Sequence, residues 1–138
     1  MTTSTLTPRT RAHAGYLNIA LWTLQGWLTM FFVAAGYAKL TEPMENLVAL
    51  MQWPALASEN FVRGLGVVEL VLGLMVLAPL ISWKFGRPLL LTAAAGLLVL
   101  ELTALGVHVW GLDLGPALTN VALLAITAPI FWFRRRAD

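Results

Sequence analysis

Cysteine is absent and charge is scarce: nine Lys and Arg, seven Asp and Glu and two His are spread over 138 residues, 12% of which are charged. Average soluble domains are about 25% charged and about 45–50% apolar, whereas this chain is 59% hydrophobic. Without cysteine there is neither a disulfide framework nor a thiolate metal or iron–sulfur site. The apolar content excludes a chain disordered as a whole, and the lack of a basic surface with interleaved aromatic residues excludes nucleic-acid binding. No Gly-rich phosphate loop follows a strand pattern, and no Ser has a convincing His partner for nucleophilic catalysis. The two histidines, His13 and His108, fall on opposite expected sides of a membrane, so no metal or haem site is expected and no cofactor is assigned. Redox chemistry would need a carrier from elsewhere, such as a quinone dissolved in the bilayer or an electron-transfer partner.

What the chain has is long apolar runs. Tyr16 to Ala38 carries no charge; at about 1.5 Å per residue it crosses a hydrocarbon core of about 30 Å. A second run lies between Arg63 and Lys84 and holds only Glu69. A third, between Arg87 and Asp113, holds Glu101 and His108. The fourth, between Asp113 and Arg134, ends in Phe131, Trp132 and Phe133, an aromatic belt suited to a membrane interface. Backbone groups in lipid must be satisfied internally, and unalternating runs of this length do so as helices. The expected fold is all-α: an integral membrane four-helix bundle, with a short interfacial helix between spans one and two.

Seven of the nine basic residues (Arg9, Arg11, Lys84, Arg87, Arg134, Arg135, Arg136) flank one membrane face and two (Lys39, Arg63) the other. The positive-inside rule then places both termini of a multi-pass membrane protein in the cytoplasm. Residues 1–14, Thr-rich and polar, are expected as a disordered cytoplasmic tail, and 15–138 as one transmembrane domain. The first run is too long for a signal-peptide core of about 7–15 residues, so this helix is expected to be retained. The one long connection, from Thr41 to Asn60, carries Met44, Leu47, Val48 and Met51 at helical spacing, with Thr41 as a candidate cap and Trp53–Pro54 as the stop. It reads as a lid on the bundle or as an interfacial anchor.

Counting inward from the flanking charges places the polar residues by depth. Glu69 lies about 9 Å below the outer surface, Glu101 at about the same level and Asn120 at about 10 Å. His108 follows Glu101 by two helical turns on the same face, with Lys39 and Arg63 at the rim. A lone charge at the bilayer centre costs about 2.5–3.5 kcal/mol on the mildest scale, so the carboxylates should face the bundle interior. Gly66 and Gly73 strip the face around Glu69, for helix packing or for a ligand. If Lys39 reaches Glu69, that carboxylate stays ionised and Glu101 with His108 becomes the proton donor and relay; a structural salt bridge with a neutral Glu101 is the other reading. The candidate catalytic set is Glu69, Glu101, His108 and Lys39. Gln25, Trp53, Arg63, Asn120 and Tyr37 are the candidate ligand contacts, although Gln25, level with Thr92 and Thr127, also reads as interhelical glue.

Leu24, Gln25, Phe32, Ala35, Gly36, Lys39, Leu40, Trp53, Pro54, Gly66, Glu69, Leu70, Gly73 and His108 together resemble the DoxX-like family of small bacterial membrane proteins, from about Leu21 to Phe133. The resemblance implies a four-helix membrane fold and places the family's polar positions on Gln25, Lys39, Glu69 and His108. The family name carries an association with a thiosulfate:quinone oxidoreductase and with sulfur or oxidative-stress redox systems; Glu101 rests on depth counting alone. Two functions are weighed: a redox-associated subunit holding a quinone or other lipophilic molecule, with a redox partner protein, and a cofactor-free acid–base enzyme acting on a lipophilic substrate. A scaffold is the third reading. Ala93, Ala94, Ala95 and Gly96 would permit close packing within the bundle or in a homo-oligomer.

Overall fold

The computed structural model of the chain describes residues 7–137. Five α-helices follow one another: α1 (Pro8–Thr41), α2 (Met44–Met51), α3 (Glu59–Met75), α4 (Trp83–Trp110) and α5 (Leu114–Arg134), with short 3₁₀ turns at Trp53–Leu56 and Ala78–Leu80. Four of them are long and apolar enough to cross a membrane, as the sequence indicated, and α2 is the short helix between spans one and two. Their outward faces are lined by residues such as Ile19, Val99 and Leu118, a surface whose natural solvent is lipid.

α1 starts earlier than its charge-free run suggested. Pro8 occupies its first turn and the Thr7 side chain accepts from the Thr10 amide at 3.3 Å, a cap that satisfies one of the free N–H groups at a helix start. Residues 8–14, expected within a disordered tail, are therefore helical; residues 1–6 of that expectation lie outside the described residues. Thr41 does not cap α2: its hydroxyl donates to the Tyr37 carbonyl inside α1, and Pro43 holds the cap position instead.

The helices run alternately up and down and pack as two tight pairs, α1 with α3 and α4 with α5. In the first pair the glycines are the contact. A Cβ on Gly36 would lie 2.6 Å from the Gly66 carbonyl and 2.8 Å from the Leu70 amide, and one on Gly66 would lie 2.8 Å from Lys39 Cβ. Gly73 faces Phe32 and Val33 in the same way. Of the two uses open to these glycines, helix packing is the one realised. Thr29 and Gln25 of α1 donate to the carbonyls of Gly73 and Val76, at 3.0 and 3.1 Å, extending the seam inward. In the second pair Ala93 and Ala94 are fully buried inside the bundle. The core between the pairs consists of Leu21, Leu28, Phe32, Val76, Leu90, Leu97, Leu123 and Ile130.

Gly36→Val should destabilise the protein by about 1–3 kcal/mol, since the added methyl groups meet backbone that cannot yield. Gly64→Ala, where a Cβ meets nothing within 4 Å, should be neutral or slightly stabilising. Thermal unfolding of both variants in detergent checks the contrast.

Candidate functional site

Backbone contact between α1 and α3 brings Lys39 against Glu69. Nζ donates to Oε2 at 2.7 Å, with Lys39 4% and Glu69 9% exposed. A buried ion pair of this kind is held together because either partner alone would be an uncompensated charge in a poor solvent. Just outside it, Arg63 donates through Nη1 to the carbonyls of Lys39 (2.5 Å) and Glu42 (2.7 Å), and it pairs with Glu59 one turn away. Arg63 thus closes the C-terminal end of α1, where free carbonyls favour a cation. It does not line the cavity, and neither does Tyr37, which is exposed.

Beside the ion pair lies a cavity of about 480 Å³, walled by Phe31, Phe32 and Ala35 of α1, Leu65 of α3, Leu100 and Ala104 of α4 and Leu123 of α5. Its polar lining is Lys39, Glu69, Glu101, His108, Thr119 and Asn120. Glu69 and Glu101, which depth counting set at one level, both line this cavity. Glu101 is 1% exposed; Oε1 accepts from the Thr127 hydroxyl at 2.6 Å, while Oε2 has no partner among the described residues. Thr127 divides its single proton between Glu101 and the Leu123 carbonyl at 3.0 Å. His108 Nδ1 lies 3.6 Å from Asp113 Oδ2, beyond hydrogen-bond reach, and has no hydrogen-bond partner among the described residues. The Asn120 amide donates to the Pro116 carbonyl at 2.9 Å, which leaves its carbonyl oxygen free to accept.

α2 and the turn after it cover the end of this cavity. Leu47 is fully buried, and Leu50, Met51 and Trp53 line the cavity wall. Between α2 and the turn stands Gln52 at φ 61° and ψ −49°, close to the rare γ-turn geometry that L residues adopt only under constraint. This reversal delivers Trp53 to the cavity, so the lid reading of the long connection, and Trp53 within it, match the geometry. Among the described residues no three His, Cys, Asp or Glu side chains come together as metal ligands.

Gln25 is a third expected ligand contact that the fold sends elsewhere. It lies at the opposite end of the bundle, where its oxygen accepts from Arg134 Nε at 2.7 Å and its amide reaches Val76. Arg134, 4% exposed, also donates to Asn18 at 2.8 Å, and its guanidinium lies over Trp22 and Trp83 with centroids at 5.0 and 5.4 Å. Sequence reading took Arg134 for a flanking charge, and it set Thr127 among the interhelical glue without joining it to Glu101. The signal was present: Leu123, Thr127, Ile130 and Arg134 recur on one helical stripe that continues from Asn120.

Lys39→Met should cost about 3–5 kcal/mol by stranding Glu69, and the double variant Lys39→Met with Glu69→Leu should recover most of the loss. A double-mutant cycle on thermal unfolding in detergent measures the coupling.

The sequence profile of the DoxX-like family matches residues 23–130. Neither a curated protein nor a solved structure matches the chain significantly. The matched segment contains the greater part of all four long helices together with the ion pair, the lid and both cavity carboxylates, and on that extent the chain belongs to the DoxX-like family.

Proposed function

We propose that this membrane protein binds a lipophilic small molecule, with a quinone as the leading candidate class, in the cavity beside Lys39 and Glu69. The observation that carries the reading is the lining of that cavity: apolar walls of ligand-site size around a few polar groups, two of whose buried atoms, Glu101 Oε2 and His108 Nδ1, have no hydrogen-bond partner among the described residues. Lys39 has N–H groups beyond the one given to Glu69, and with His108 it can donate to a carbonyl of the ligand head. A hydroxyl on the reduced form of such a head would donate to Glu69, Glu101 or the Asn120 oxygen. Phe31, Phe32, Leu100 and Leu123 would hold the apolar part.

In this reading the protein lies in the bacterial inner membrane with both termini in the cytoplasm, as the seven-to-two division of basic residues favours. The cavity then belongs to the outer half of the bilayer. A redox partner protein would exchange electrons with the bound molecule, and self-association would bury lipid-facing surface. The second reading, a cofactor-free acid–base enzyme acting on a lipophilic substrate, draws on Glu101: a carboxyl with one oxygen held by Thr127 and the other unpartnered is placed to pass a proton to a bound molecule.

Native mass spectrometry and solvent extraction of the purified protein test the proposal against Glu69→Gln and Glu101→Gln. The parent should carry an extractable apolar molecule that either variant loses while keeping its yield and melting temperature. A parent that carries nothing, with both variants equal to it in stability, would falsify ligand binding. Turnover of the extracted molecule without a redox partner would favour the enzyme reading.

A further inference from the structure

The cavity has a second arm. α3 and α4 touch at Leu72 and Gly96, where a Cβ on the glycine would lie 3.1 Å from the leucine side chain. Outward of that contact the two helices enclose a slot of about 200 Å³, with Phe61 and Leu65 on one wall and Thr103, Ala104 and Val107 on the other. Its inner end is formed by Glu69 and His108, so slot and main cavity meet at the same two polar side chains. Its rim is exposed: Phe61 at 60%, Val107 at 56%, and Thr103. These residues belong to membrane-spanning helices, and by the depth count Phe61 and Val107 stand about level with Arg63, so the rim opens sideways at the outer edge of the hydrocarbon layer.

We propose that this slot is a lateral entrance, through which an amphiphile dissolved in the bilayer brings an uncharged polar head to Glu69 and His108 while its tail lies between α3 and α4. The proposal rests on the lipophilic-ligand reading and specifies its route and head-group class. Sites that enclose a whole ligand usually measure about 300–1,000 Å³; the slot falls below that range and the main cavity within it, so the slot suits a tail and the cavity a head. The head is uncharged because Lys39 and Glu69, at 2.7 Å, already neutralise one another, so this pair offers an ionic head no unmatched charge. Trp53 lines both spaces and stands at their junction.

The test uses the full chain in lipid nanodiscs with a single-chain fatty alcohol bearing a photoreactive diazirine in mid-chain, and maps the labelled residues by mass spectrometry. Labelling should concentrate on Phe61, Leu65 and Thr103. Val107→Trp, a substitution at the exposed rim that leaves packing intact, should reduce it to the level of the outward-facing Val68. Equal labelling of the slot and of Val68 in the parent overturns the entrance. Labelling of Phe31 and Thr119 that Val107→Trp leaves unchanged also overturns it, because the ligand then enters between α1 and α5, and the lipophilic-ligand reading survives. Absence of labelling throughout the cavity and slot removes both. Stronger labelling by the fatty acid of the same chain overturns the uncharged head.

Discussion

Backbone-to-backbone contact between α1 and α3 at Gly36 and Gly66 is the constraint on which the polar architecture depends. Lys39 sits one turn beyond Gly36 on α1, and Glu69 one turn from Gly66 on α3, so the glycines set the separation at which Nζ and Oε2 meet at 2.7 Å. A bulkier residue at either glycine would hold the helices apart and leave a carboxylate and an ammonium in a low-dielectric layer without each other. Arg63 depends on the same register, since it reaches the Lys39 and Glu42 carbonyls only because α3 runs alongside the end of α1. Packing, ion pair and helix termination are thus one arrangement.

The two ends of the bundle spend their polar groups differently. At the end that holds Arg134, the guanidinium is engaged by Gln25, Asn18 and two indole faces, and Arg87 closes α5 by donating to the carbonyls of Arg134 and Arg135 at 3.1 and 2.9 Å. At the Lys39 end the ion pair is complete, yet Glu101 and His108 each keep an unpartnered buried atom beside an open volume. Buried polar atoms are ordinarily satisfied; Arg134 Nη2 is a third without a hydrogen-bond partner among the described residues, but only those of Glu101 and His108 belong to side chains that line the cavity.

Much of this was legible in the sequence, for reasons tied to particular residues. The four spans follow from run length, and the shared level of Glu69 and Glu101 follows from a fixed rise per residue. The glycines three before and four after Glu69 marked the packed face, although the partner glycine, Gly36, belonged to another helix and gave no local sign of its role. Direction around the helix was harder to read than depth. Arg63 and Tyr37 have the depth of the site but point to a helix end and to the surface. Gln25 has a partner more than one hundred residues away in sequence, Arg134, whose position in a basic cluster disguised an inward-facing side chain. Residues 8–14 read as a polar tail because a helix that extends beyond the bilayer needs no apolar stripe there.

The distribution of interhelical hydrogen bonds explains why a gap opens where it does. α1 and α3 are joined by Lys39–Glu69, Thr29–Gly73 and Gln25–Val76, and α4 and α5 by Glu101–Thr127 and the two bonds from Arg87. Between these pairs, among the described residues, the polar bonds are those of Arg134 to Gln25 and Asn18, all at one end. The pairs are therefore pinned at the Arg134 end and held at the other by apolar contact alone. In lipid such contact has little hydrophobic driving force behind it, because acyl chains solvate a leucine surface as well as another helix does. A hydrocarbon tail can enter the α3–α4 seam by exchanging one apolar contact for another, whereas entry between α1 and α3 would have to break a buried ion pair. The arrangement that secures the polar residues within each pair also leaves the seam between pairs as the route of least resistance to them.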